Sequence, residues 1–270
     1  MKLPVRFYRS YPMDVQAKHP ALGHVGQAEK VMELDAGQTV VAGLHLWNVG
    51  EPDGPDVTPD GPDWPLTKIY EYYRDAAVVT NSKIRPILAA ARAAGLGVVH
   101  VVNDRYAHKY PQYAKTGEKY GHREADATPA PDLSWRPEFY EDHYGPGVDK
   151  SVMAAVKKKL RIPQAVAPEP TDDMVLSGYQ FAHLMADRQA HTIIYTGFAT
   201  NECLLFAGGG MAEMRDRCRL ILVRDATVAL EHKETVLEHA NRDAAIRLVE
   251  HSFGYTCTTA DLLHALDCET

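Results

Sequence analysis

Hydrophobic residues in this chain gather into short continuous runs separated by segments of helical period. Thr39-Val40-Val41-Ala42-Gly43-Leu44-His45-Leu46 and Gly97-Val98-Val99-His100-Val101-Val102 are apolar almost throughout, the pattern of strands buried on both faces. Met174-Val175-Leu176-Ser177, His191-Thr192-Ile193-Ile194-Tyr195 and Leu220-Ile221-Leu222-Val223 read the same way, and Tyr255-Thr256-Cys257 as a last edge strand. Between the runs the period changes. Residues 78–94 set Ile84, Leu88 and Ala91 on one helical face, with Gly95 as a C-cap. Helices are also expected over 179–188, over 204–217, over the amphipathic stretch 233–250, and over 259–266 with Thr259 as cap. Strand, helix and strand in succession make a right-handed parallel unit. The pattern therefore predicts an α/β fold with a mainly parallel sheet, in one domain over residues 31–270.

Three stretches stand outside this alternation. Residues 1–30 lack sustained periodicity and carry several prolines and glycines; they read as an N-terminal arm, either a subunit contact or plain surface coil. Residues 50–65 are dense in Pro, Asp and Gly and predict an irregular loop without calcium-loop spacing. Residues 103–171 form a long insertion rich in Tyr, His and Pro, with one helix expected over Ser151–Leu160 carrying Lys157, Lys158 and Lys159 as a solvated end. Insertions of this length serve as lids, binding loops or oligomer contacts. Its histidines, His108, His122 and His143, have no ligand spacing, so no metal is expected.

Composition narrows the partners. The 270 residues carry a net charge of -7, which argues against nucleic acid or an anionic membrane. No apolar run reaches bilayer length, and Met1-Lys2-Leu3-Pro4-Val5-Arg6 has no hydrophobic signal region. Cysteines at 203, 218, 257 and 268 form neither a disulfide framework nor a paired zinc motif. The expectation is a cytoplasmic protein with reduced thiols, no cofactor and a small-molecule substrate, self-associating through the arm and insertion.

Candidate chemistry concentrates at one turn. No glycine-rich fingerprint opens the first helix, and there is no P-loop or serine elbow. Gly208-Gly209-Gly210 falls inside the expected helix over 204–217; glycines there cost roughly 1 kcal/mol each and imply close backbone packing or a local break. Thr196-Gly197-Phe198-Ala199-Thr200-Asn201-Glu202-Cys203 leaves a buried strand and enters that helix. Orphan amides and the dipole at a helix start favour a thiolate and a neighbouring oxyanion. The alternative for Cys203 is a buried structural thiol.

Gly197-Phe198-Ala199-Thr200-Asn201-Glu202-Cys203 resembles the G-x-A-T-N-x-C motif of the isochorismatase-like cysteine hydrolases. The strand ending in Arg224-Asp225-Ala226-Thr227 and the helix and strand over 81–102 are similar too, so the likeness spans roughly residues 34–266. It implies a doubly wound, mainly parallel six-stranded sheet with helices on both faces, and a Cys-Asp-Lys triad that cleaves a C–N bond through a thioester. The implied oxyanion hole uses the amides of Ala199 and Cys203, with a cis peptide between Phe198 and Ala199.

Two triad members differ. Where the family has aspartate and glutamine, this chain has His45 and Trp47, with Asn48 retained; the lysine register falls on Ser177 or Gly178. The Asp-x-His pattern of metal-binding relatives is missing. Three readings are open: His45 serves as base for Cys203; the site binds a small molecule or scaffolds a partner without turnover; or His45 is a core residue and a lysine enters from the insertion. Trp47, Asn48, Tyr179, Phe181 and Thr200 are the candidate substrate-binding residues, Trp47, Tyr179 and Phe181 as aromatic walls or as core.

Overall fold

The computed structural model describes residues 1–58, 70–121, 132–144, 154 and 157–267. Its strands are β1 (Lys2–Arg9), β2 (Gly26–Glu33), β3 (Thr39–Leu44), β4 (Gly97–Val101), β5 (Asp173–Val175), β6 (Thr192–Gly197), β7 (Arg219–Val223) and β8 (Tyr255–Cys257). They form one eight-stranded sheet in the order β2-β1-β8-β7-β6-β3-β4-β5. The run from β8 to β5 is parallel, as the apolar runs require, with β3 between β4 and β6.

The helices are α1 (Tyr70–Val79), α2 (Arg85–Ala93), α3 (Asp104–Ala107), α4 (Pro111–Tyr120), α5 (Arg136–Tyr144), α6 (Gly178–Asp187), α7 (Cys203–Phe206), α8 (Met211–Met214), α9 (Ala240–Leu248) and α10 (Thr259–Asp267). Successive strand side chains point to opposite faces. Val41, Val98, Ile194 and Ile221 accordingly join Ile87, Leu88 and Leu262 in one core. Val40, Ala42, Val99, Ile193 and Leu222 join Phe181, Leu184, Leu204 and Met211 in the other. The two cores make the sheet doubly wound.

Four expectations are corrected. The sheet has eight strands, not six, because the N-terminal segment read as arm or coil forms the hairpin β1–β2, and β1 lies antiparallel to β8, which is therefore interior and not the expected edge. Its pattern was obscured because β2 is largely exposed along its length. The helix expected over 204–217 is two single turns, α7 and α8, parted at the glycines. A side chain at Gly208 would sit 2.4 Å from the Leu176 carbonyl. The helix expected from Lys233 begins only at Ala240, preceded by turns and by His239 at φ 52°. The helix before β4 starts at Tyr70 rather than Val78 and runs through a π turn, Thr80–Ile84. The helix expected over Ser151–Leu160 lies largely outside the described residues. No helix among the described residues is long and apolar enough to cross a membrane.

A buried carboxylate joins the hairpin to the body. Glu250, 3% exposed, accepts from Arg6 Nε at 2.6 Å, from Thr256 Oγ1 at 2.7 Å and from Gln27 Nε2 at 3.2 Å. Removing one partner of a buried ion pair leaves the other's desolvation unrepaid. Glu250→Ala is expected to lower unfolding free energy by about 3 kcal/mol, read from urea midpoints; a loss below about 1 kcal/mol would show the network to be dispensable.

Candidate active site

The site is built where β4, β3 and β6 end side by side. Leu44 pairs with Gly197 and Val101 in adjacent registers, so the residues following each strand converge at one edge, where open α/β sheets place ligands. Gly197 permits the closest approach: at φ 113° a Cβ there would stand 2.1 Å from the Leu44 carbonyl oxygen. That carbonyl instead accepts from the Phe198 amide at 3.0 Å.

The turn after β6 is closed from within. The Ala199 carbonyl accepts from the Glu202 and Leu204 amides, both at 3.1 Å, and the Phe198–Ala199 peptide is cis. Thr200 is fully buried, its hydroxyl sharing a hydrogen bond with Thr227 at 2.7 Å. Asn201 accepts from the Leu230 amide at 2.9 Å and donates to the Leu230 carbonyl at 3.0 Å. Thr200 and Asn201 therefore clamp the chain after β7. Cys203 opens α7 half-buried, and the amides of Ala199 and Cys203 favour its ionised form.

Burial dominates the electrostatics. It raises the Cys203 thiol pKa; Glu202 adds to the rise, while Arg105 and the two amides oppose it. The expected thiolate-stabilising helix start is thus outweighed, since α7 is a single turn. His45 follows β3 at φ 49° and is 7% exposed. Burial first, and Arg105 second, bring its pKa down to about 4. Its Nδ1 is buried without a hydrogen-bond partner among the described residues, and no hydrogen bond joins His45 to Cys203. Trp47 stacks on His45 at 5.6 Å and 22°. The Trp47 indole N–H donates to the Tyr106 hydroxyl at 3.2 Å.

Other candidates separate. Asn48 is fully buried; its amide group accepts from the Arg161 N–H at 2.9 Å and donates to the Asp53 carbonyl at 3.2 Å, tying two loops together. Phe181 lies in the core, edge-on to Tyr195 at 6.3 Å. Tyr179 is half-buried against His183. At the lysine register, Ser177 caps α6 by accepting from the Gln180 amide. Among the described residues, no group of three His, Cys, Asp or Glu side chains could hold a metal ion.

Arg105, Tyr106 and Tyr72 complete the surroundings and were missed in the sequence; Lys157, read there as part of a solvated helix end, is half-buried. Arg105 acts on His45, Cys203 and Lys157. Buried Tyr106 and half-buried Tyr72 both feel Cys203, and Tyr72 packs edge-on to Phe198 at 6.5 Å. Arg105 and Tyr106 come shortly after β4, so the strand-end rule applied there would have found them; Tyr72 carries no local signal.

Comparison with solved structures agrees with the architecture. A cysteine hydrolase from Pseudomonas syringae pv. phaseolicola 1448A superposes with a TM-score of 0.50 at 17% identity, covering 88% of this chain and 96% of its own. An isochorismatase family protein from Desulfovibrio vulgaris gives 0.49 at 17% identity, covering 85% and 98%. One from Burkholderia xenovorans described as an isochorismatase gives 0.49 at 15%, covering 87% and 90%. No family model matches the chain, and the search of curated proteins finds no match. The fold is that of the isochorismatase-like hydrolases.

The buried imidazole has a consequence for stability. With a folded pKa of about 4 against an ordinary 6.5, His45 binds fewer protons folded than unfolded between these values. Its contribution is complete above pH 6.5 and is lost as pH falls toward 4, about 3 kcal/mol in all. Urea unfolding from pH 7.5 to 4 is expected to show this loss and His45→Gln to remove that part of it; equal slopes for both proteins would contradict the assignment.

Proposed function

We propose that the protein is a cysteine hydrolase that cleaves a C–N bond of a small amide-like molecule, with Cys203 as nucleophile and His45 as proton carrier. The observation that supports it most is the turn after β6, closed on the Ala199 carbonyl and setting Cys203 as the first residue of α7, where free backbone amides are donors suited to the oxyanion of a tetrahedral intermediate.

The sulfur attacks the carbonyl carbon while the thiol proton passes to His45. Collapse of the intermediate breaks the C–N bond, and His45 returns the proton to the departing nitrogen. Water then attacks the thioester, giving its proton to His45; the acid leaves and the thiol is restored. At rest both groups are neutral, because burial favours the uncharged form of each. Moving the proton in advance is uphill, since burial raises the thiol pKa and brings His45 down to about 4. A turnover of about ten per second allows a barrier of about 16 kcal/mol, so the transfer fits when coupled to C–S bond formation. Catalytic hydrogen bonds in an empty site are often long, which accommodates the unbonded His45–Cys203 pair. Trp47 would orient the imidazole and wall the substrate, and Thr200 would brace the oxyanion turn.

A second reading, ligand binding without turnover, is favoured by the raised thiol pKa. Ammonia release from a panel of small primary amides and ureido compounds separates the two. Turnover of at least one member is expected, abolished by Cys203→Ala and lowered roughly 10²- to 10³-fold by His45→Ala. Saturable binding of panel members with no turnover would replace the hydrolase reading by the binding one.

A further inference from the structure

We propose that Arg6 and Arg224 anchor a second ligand site, away from Cys203, that takes the carboxylate of a small organic acid with an apolar body. The proposal goes beyond the hydrolase reading and stands or falls without it.

The N-terminal hairpin supplies one side of this site. Arg6 of β1 lies in register with Thr256 of β8. Arg224 leaves the end of β7 with its amide on the Cys257 carbonyl at 2.9 Å, so the two arginines flank β8. One polar chain joins them. Arg6 Nε donates to Glu250 Oε1 at 2.6 Å, the Thr256 hydroxyl donates to the same oxygen at 2.7 Å, and Arg224 donates to that hydroxyl at 3.4 Å. Glu250 is spent on this chain. The two terminal nitrogens of Arg6 have no hydrogen-bond partner among the described residues, and Arg224 makes no ion pair there. Both arginines are half-buried, and both line a cavity of about 1130 Å³ between α1, the segment after β7 and α9.

The rest of the lining selects the ligand. Val79, Val228, Val236 and Ile246 give the cavity apolar walls, which suit a ring or a branched chain. Its carboxylates are largely committed elsewhere. Asp225 accepts from the Thr259 amide at 2.7 Å and pairs with Lys83 at 3.3 Å. Glu231 accepts from the amides of Asn241 and Arg242 at the start of α9. Asp75 and Asp243 pair with the arginines beside them in sequence. Together with Glu71 on α1 these acids disfavour a doubly charged anion. The spare guanidinium nitrogens favour a single planar carboxylate, held by paired charge-assisted hydrogen bonds. The cavity is separate from the candidate active site. Neither Cys203 nor His45 is among its described lining residues. Tyr72 stands between, lining the cavity while packing edge-on to Phe198 at 6.5 Å. The hairpin that brings Arg6 also lies outside the stretch that resembles the isochorismatase-like hydrolases.

Saturation-transfer NMR titrations with benzoate test this, on Cys203→Ala protein so that no probe is turned over. Benzamide has the same ring without the charge, and acetate the charge without the ring. Benzoate is expected to bind saturably and about tenfold or more tightly than either. Arg224→Met, at a side chain whose bond to Thr256 is long, should bring benzoate to the affinity of benzamide. Arg6→Lys keeps a cation beside Glu250 but removes the fork, and should weaken benzoate as well. Val236→Trp fills the cavity without touching either arginine and should abolish saturable binding. Circular dichroism confirms that each variant is folded. Equal affinities for benzoate and benzamide overturn the proposal, as does benzoate binding unmoved by Arg224→Met and Val236→Trp. Tighter binding of phenyl phosphate than of benzoate overturns the assigned ligand class.

Discussion

The close approach of β3 and β6 at their carboxyl ends is the constraint on which the rest of the site depends. Only a residue without a Cβ lets Gly197 reach the Leu44 carbonyl, and only that approach lets the Phe198 amide bond to it. The chain then turns under Thr200 and Asn201 to present Cys203 next to the residues that follow β3 and β4. His45 and Thr200 are buried there, while Cys203 is half-buried. A side chain at 197 would wedge the two strands apart and lose the site and the local sheet together.

Desolvation sets the chemical character of what is assembled. A single turn of helix cannot offset it, so the thiol pKa rises and the imidazole pKa falls, and both groups are neutral at rest. On the proposed mechanism, charge is therefore created only during reaction, beside backbone amides.

Much of this was legible in the chain. The six parallel strands were readable because apolar runs buried on both faces have few alternatives, and the Cys203 turn because a motif sits at a strand end. The hairpin β1–β2 escaped because β2, with a mostly exposed face, lacks a clear apolar alternation. The break at Gly208-Gly209-Gly210 was anticipated as one of two roles and serves both, ending α7 and admitting the Leu176 carbonyl. Asn48 and Phe181 looked like site residues by position, yet their side chains are spent on loop bonding and on the core.

The most direct test of the central claim is carbon-13 NMR of an aldehyde labelled at its carbonyl carbon, mixed with the protein. A thiol poised beside preorganised amides adds to the aldehyde, and the resulting tetrahedral oxygen occupies the place of the oxyanion. The account predicts a protein-bound resonance in the tetrahedral hemithioacetal region that is absent from Cys203→Ala. Only free aldehyde and its hydrate in the presence of wild-type protein would contradict it.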